Sequence, residues 1–327
     1  MPASPPMPQQ AVLRKPFGLK FNVDEQMGIE CSDLHLKMKL DERRHRAYCP
    51  EARYLRFRRL LVDWMCEVGD ELRLHNSTMH VAVLFLDRML QSVTVAKSRL
   101  QLVAISCILI AAKLEEAEEH VPAVMDLNEF AQPGYSPDEI QGMEMQVLNQ
   151  LGWSMGAVTP LHFLGYYLSK GVVFEDDTFQ GRPLVDKVPR YVQKYAEFFA
   201  DLCLQDYAFQ RYEPSLLAAA IITASRKALH IAGAPGAEAG ANGSRGLWRP
   251  ELTALTGTSE LAMAPVMDHL WKHYLRCFPT AWSAPAAEQG QDKKQVSPTG
   301  AQDFPEGGRL SQQSQASDPG AAYAEYQ

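Results

Sequence analysis

Two stretches of this sequence are apolar on almost every side, and they leave few ways to fold the chain. Residues 100–114 read LQLVAISCILIAAKL, and residues 216–224 read LLAAAIITA. Neither reaches the ~18–20 residues that a bilayer span requires, and both are too uniform for a helix with one wet face. Each has to run through the middle of a bundle, wrapped by amphipathic helices. A chain of 327 residues has room for two such bundles at ~100–200 residues per domain.

The wrapping helices can be read around both segments. Before the first, Leu61, Trp64, Met65, Val68 and Leu72 share one face, and a second helix with Asn76 or Ser77 as cap carries Met79, Ala82, Val83, Leu86 and Leu90. After it, Val121, Val124, Leu127 and Phe130 mark a fourth helix, and Pro133-Gly134 breaks the chain. The fifth opens on Ser136, Pro137 and Glu139, a capping box with proline at the first helical position, and continues through Ile140, Met143, Val147 and Leu151. The plan then repeats. Thr159-Pro160 opens a helix through Phe163, Tyr167 and Leu168; Tyr191–Leu204 supplies the next, with Val192, Tyr195, Phe199 and Leu202 on one face. Pro214 starts the second apolar segment, a Gly-Ala-rich loop covers 232–246, and Pro250–Leu255 forms a short helix ended by Gly257. Ser259–Arg276 closes the series, with Pro265 as a kink. Strand signals are scarce. The fold class is all-α: two tandem five-helix units, an N-terminal helix and disordered ends.

The expected organisation is an arm over 1–50, a first unit over 51–156, a second over 157–278 and a disordered tail over 279–327. In the arm, Cys31–Tyr48 reads as a helix, capped by Ser32 or Asp33, with Leu34, Met38 and Leu40 on its apolar side. The tail is rich in Gln, Ser, Pro, Gly and Ala and holds too little apolar surface to offset ordering entropy. The 32 basic and 39 acidic residues sum to −7, which disfavours a protein that lives by neutralising phosphates, so neither nucleic acid nor a membrane surface is expected as partner. With a Pro-rich amino terminus in place of a charged-then-apolar leader, the chain is expected inside the cell, in nucleus, cytoplasm or both. Six scattered cysteines without a Cys-x-x-Cys pair suggest neither a disulfide scaffold nor a thiolate zinc site.

The residues of 61–90, LVDWMCEVGDELRLHNSTMHVAVLFLDRML, and of 100–116, LQLVAISCILIAAKLEE, resemble the cyclin box. Cys203–Phe209, Tyr212-x-Pro214-Ser215-Leu216, Val121-Pro122 and Leu127-Asn128 resemble the J-type branch of that family. The resemblance covers about residues 32–278 and implies a tandem cyclin fold acting as regulatory subunit of a cyclin-dependent kinase, in a heterodimer. It also implies a kinase-facing pair, Lys113 and Glu144, which in cyclins reach backbone groups beside the kinase C-helix, with apolar contacts from Ile110, Leu114, Leu148, Trp153 and Met155. On spacing alone, Lys113 reads as a lysine snorkelling from the core and Glu144 as a solvated helix residue. A second implied site is a docking groove for Arg-x-Leu peptides. The family's Met-Arg-Ala-Ile-Leu pattern here reads Phe57-Arg58-Arg59-Leu60-Leu61, joined by Trp64, Glu67, Leu100 and Gln101. An apolar groove edged by Glu67 suits Leu and Arg side chains, whereas Arg59 in place of alanine obstructs it or repels a basic peptide; Leu61 and Trp64 read equally as packing residues.

Other signals carry less. His269 and His273 stand four apart, without the adjacent glutamate of a zinc-protease helix, and read as structural. Glu115, Glu116, Glu118 and Glu119 crowd a helix C-terminus, where the dipole disfavours anions, and read as partner contacts rather than a divalent-ion site. Seven arginines between residues 43 and 59 read as an exposed face, with Arg43-Arg44-His45-Arg46 a weak import signal. Ser4-Pro5 and Ser297-Pro298 suit proline-directed phosphorylation. No phosphate loop, nucleophile elbow or catalytic constellation is found, so neither enzymatic activity nor a cofactor is expected. The rival reading is a kinase-independent tandem cyclin fold of transcription-factor or pocket-protein type, but the zinc ribbon and positive face of the basic transcription factors are missing.

Overall fold

The computed structural model describes residues 14–18, 32–43, 48–131, 134–233 and 246–279. The Arg44-His45-Arg46 run, Ser4, Ser297, Pro133, most of the Gly-Ala-rich loop and the tail from residue 280 lie outside them. The protein is predominantly helical. After α1 (Ser32–Asp41), five helices form the first unit: α2 (Leu55–Glu71), α3 (Asn76–Ser92), α4 (Leu100–Glu115), α5 (Val124–Asn128) and α6 (Pro137–Gln150). Five more form the second: α7 (Pro160–Lys170), α8 (Val188–Gln205), α9 (Pro214–Ala228), α10 (Pro250–Thr256) and α11 (Glu260–Cys277).

The two apolar segments take the central places that their composition demands. Every residue of α4 from Leu102 to Ala112 is buried, and α4 packs against α2, α3, α5 and α6. Helix α9 is buried continuously from Leu217 to Arg226 and packs against α7, α8 and α11. Ser106 and Thr223 sit in these cores because each hydroxyl donates to the carbonyl four residues back, which leaves no buried donor unmade.

Departures from the sequence expectation have local causes. Helix α1 ends at Asp41, seven residues short of Tyr48, and Leu34 and Leu40 are more than half exposed. Its inward side is half-buried His35 and buried Met38 instead, because the His35 ring stacks on Tyr166 of α7 at 5.1 Å. Helix α5 is only five residues long, and Val121 and Phe130 lie outside it. Asn128, the last residue of α5, is tied to Tyr135: its side chain donates to the Tyr135 carbonyl and accepts from the Tyr135 amide at 2.7 and 2.8 Å. Helix α8 starts at Val188, three residues before Tyr191. A small antiparallel sheet also forms, in the order β2-β1-β3: β1 (Thr178–Phe179), β2 (Arg182–Pro183) and β3 (Ile231–Ala232). Gln180 and Gly181 join β1 to β2 with φ of 52° and 72°, the paired positive values of a tight hairpin. Two-residue strands are too short for alternating hydrophobicity to announce them.

Candidate functional site

Lys113 lies in the last turn of the central helix α4, and Glu144 lies in the middle of α6, which packs along α4. The geometry brings the two together: Lys113 Nζ donates to Glu144 Oε1. The lysine side chain remains 48% exposed and the glutamate 15%, so the pair sits at the surface with the lysine the more open of the two, and its ammonium has donors beyond the one it gives to Glu144. It adds little to the stability of the fold, since ion pairs of this exposure contribute about 0–1 kcal/mol.

The helices that carry the pair, and their neighbour α5, also hold apolar side chains that the core does not fully absorb. Leu114, next to Lys113, is 48% exposed, and Met125 on α5 and Met145 on α6 are also open to solvent. Leu148 and Met155 are half-buried, whereas Ile110 is buried and packs in the core of the first unit. Trp153 is the most exposed of the set, at 59%. It stands just past α6 with φ of 54°, a left-handed conformation that a bulky L-residue rarely adopts. Four hydrogen bonds hold it there: its amide donates to the Leu148 carbonyl, its indole nitrogen donates to Asn149 Oδ1, and Arg88 of α3 donates to the carbonyls of Leu151 and Ser154 on either side. A large aromatic is thus kept in water by a backbone fixed in an unfavourable conformation.

The second predicted surface is on α2. Leu60 is 66% exposed, Phe57 and Trp64 are half-buried, and Glu67 is exposed two turns further on. Leu61 and Leu100 are buried and form the floor with half-buried Gln101. Arg56 lies 4.6 Å and Lys97 5.6 Å from the centre of the Phe57 ring, so two cations flank the end opposite Glu67. Arg59 is exposed, and its charge acts on Asp63 and on His273 and Cys277 of α11. It therefore occupies the flank of α2 turned toward α11.

Arg58, counted with the exposed arginines from sequence, is fully buried. Its guanidinium pairs with both carboxylate oxygens of Asp87 in α3 at 2.9 Å, and also donates to the carbonyls of Leu204 and Gln205 at the end of α8. Tyr54 donates to the same Asp87 at 2.6 Å, and burial together with that carboxylate drives the phenol pKa far upward. One member of the acidic run likewise changes meaning. Glu116 accepts from the His75 amide at 2.7 Å and from the Thr78 hydroxyl at 2.5 Å, so it anchors the N-terminus of α3, where the dipole favours an anion. Burial opposes its charge, but those hydrogen bonds win and hold its pKa below the ordinary glutamate value. His269 stacks on Phe209 at 4.5 Å and meets the Tyr212 hydroxyl, and His273 lies 3.3 Å from Asp206. Burial lowers both imidazole pKa values. Among the described residues no three His, Cys, Asp or Glu side chains converge as a metal site.

Comparison with known proteins agrees with this architecture. The profile of the cyclin N-terminal domain matches residues 34–156, and that of the cyclin C-terminal domain matches residues 158–296. A Cyclin-D of Ostreococcus tauri is 32% identical over 224 residues, covering 68% of this chain and 56% of that protein. The Cyclin-J of Xenopus laevis is 32% identical over 206 residues, covering 61% and 53%. In fold, a viral cyclin from herpesvirus saimiri superposes with a TM-score of 0.54 at 18% identity, over 73% of this chain and 97% of that one. The chain belongs to the cyclin family. It spans little more than half the length of the two curated relatives.

Proposed function

We propose that this protein is a non-catalytic activator of a cyclin-dependent serine/threonine kinase, acting in cell-cycle control in the nucleus, the cytoplasm or both. A kinase is competent only when its C-helix places a glutamate against the phosphate-binding lysine and its activation loop is ordered. A rigid surface that binds this arrangement more tightly than the inactive one shifts the population, and a difference of a few kcal/mol suffices. The observation that carries the reading is the surface Lys113–Glu144 pair, with exposed Leu114 and Met145 as its neighbours in sequence and exposed Trp153 just past the end of the helix that carries Glu144. Charged groups paired with backbone amides and carbonyls contribute about 1.5–3 kcal/mol each, and an exposed aromatic anchor has the composition of an interface hot spot. Ile110 backs this surface from within. Membership of the cyclin family supports the same reading.

The α2 surface formed by Phe57, Leu60, Leu61, Trp64, Glu67, Leu100 and Gln101 is the proposed docking groove for substrate peptides of Arg-x-Leu type. Glu67 provides the carboxylate for the arginine; Arg56 and Lys97 require that the arginine lie at the Glu67 end. Reconstitution tests the main proposal. Purified protein is expected to co-elute with a cyclin-dependent kinase and raise its activity, and Lys113→Glu combined with Glu144→Ala to abolish both while leaving the melting temperature nearly unchanged. Absence of any co-eluting kinase, or full activation by the double variant, would overturn it.

A further inference from the structure

The short segment Arg14–Gly18 lies against the second unit as an added strand. The Phe17 amide donates to the Val173 carbonyl at 2.7 Å, the Glu175 amide donates to the Lys15 carbonyl at 3.2 Å, and Pro16 bridges to Phe174 between them. Residues 15 and 17 therefore direct their backbone groups at the 173–175 edge, while residue 16 directs its own away. A proline at that position loses no ladder bond, presets the extended backbone of its neighbour, and prevents a further strand from pairing outside. Gly18 follows with φ of 73°, and a Cβ there would meet the Pro189 side chain at 3.0 Å.

The side chains at one end add a charge argument. Behind the edge, Asp177 pairs with Arg226 and Arg249, and Asp176 and Glu251 both pair with Arg249. Three carboxylates against two guanidiniums leave one negative charge. Arg14 meets that excess: its amide donates to Glu251 Oε1 at 2.8 Å, and its guanidinium lies 3.6 Å from Asp176. The attachment is nevertheless thin. Arg14, Lys15, Pro16 and Gly18 are exposed and Phe17 is half-buried.

We propose that the 173–175 edge with Asp176 and Glu251 is a peptide-docking site for extended segments of the pattern Arg-x-Pro-aromatic, filled in cis by residues 14–18 and open to a partner's segment of that chemistry when the arm releases. Main-chain pairing supplies affinity, and the acidic end supplies the choice of arginine, the division of labour of strand addition. Because the cis segment is tethered, its effective concentration is high, and a free peptide competes poorly until the arm is loosened.

The test uses the full chain and a fluorescein-labelled peptide of residues 12–19, VLRKPFGL, read by fluorescence anisotropy. The variant Arg14→Glu with Phe17→Ala is expected to bind this peptide at least tenfold more tightly than the wild type. Gly18→Val, which loosens the arm without changing its charge, is expected to do the same. A peptide with glutamate for its arginine should bind none of the three proteins. In hydrogen exchange, the Glu175 amide should lose protection in the loosened variants and regain it with peptide. Equal binding by wild type and loosened variants, binding to none of them, or equal binding of the charge-reversed peptide would overturn the proposal.

Discussion

Arg58 shows how far a residue's meaning depends on partners distant in sequence. Its partner Asp87 is 29 residues away and its carbonyl partners are about 146 residues away. A count of arginines records the charge and says nothing of these partners, so the expectation of an exposed basic face fails at this position. Removing one member of a buried, fully hydrogen-bonded pair leaves the other charge uncompensated, which costs about 3–5 kcal/mol. Arg58→Leu should lower stability by that amount in urea denaturation, whereas Arg56→Leu, on the exposed side of the same helix, should change it by less than about 0.5 kcal/mol. Glu116 departs from its expected role for a related reason: sequence places it at the C-terminus of α4, and only the fold turns it to the N-terminus of α3. Because its folded pKa lies below the unfolded one, its contribution is complete above the ordinary glutamate range and fades as pH falls through the folded value. The stability difference between wild type and Glu116→Gln should therefore be present at pH 7 and shrink on acidification through that range, as followed by thermal melts across pH. A constant difference would show that the carboxylate charge plays no part in the anchor.

At the scale of the element, α6 has its start written plainly in sequence, while the turn at its other end, which exposes Trp153, is hidden. Ser136 accepts from the Glu139 amide while Glu139 accepts from the Ser136 amide, the reciprocal box that Ser-Pro-x-Glu spacing announces. The end is different. Gly152, with φ of 61°, turns the chain so that Trp153 can follow with φ of 54°, and periodicity carries no information about φ. What sequence does carry about Trp153 comes only through family resemblance. The two ends make separable predictions. Ser136→Ala should lower stability by about 1 kcal/mol through the lost cap and leave kinase affinity unchanged. Gly152→Ala, with open space around its Cβ, should cost a similar ~1–2 kcal/mol through backbone strain alone. Because it disturbs the turn that presents Trp153, it should also weaken the proposed kinase complex. Calorimetric melting and titration with the co-eluting kinase measure the two effects side by side. Equal loss of affinity in both variants would mean that the turn has no special part in presentation.

For the whole molecule, the notable fact is how the two units are tied together. The two central helices were legible because an almost uniformly apolar segment has one place to go; the ties between their bundles were not, because they are made by single polar residues far apart. Asp201 of α8 accepts from Asn76 at 2.9 Å and lies 3.1 Å from His80, both on α3. Arg58 reaches the end of α8 from α2, and the Cys49 amide donates to the Tyr207 hydroxyl at 2.6 Å. From the arm, buried Glu42 accepts from the amide and hydroxyl of Ser215 at 2.8 and 3.0 Å, anchoring the N-terminus of α9 with an anion that the helix dipole favours. Charged and polar contacts of this kind couple stability across an interface because each leaves a desolvated group behind when the partner departs. The wild type should therefore unfold in a single calorimetric transition, with equal calorimetric and van't Hoff enthalpies. Arg58→Leu combined with Asp201→Ala removes the α2–α8 tie and the α3–α8 tie while leaving Glu42 in place. The first unit, which also loses the neutralisation of Asp87, should then melt at lower temperature than the second, and the trace should split into two transitions. If the double variant still melts in one step, shifted only to lower temperature, cohesion resides in the apolar contact between the units and the polar ties contribute stability without coupling.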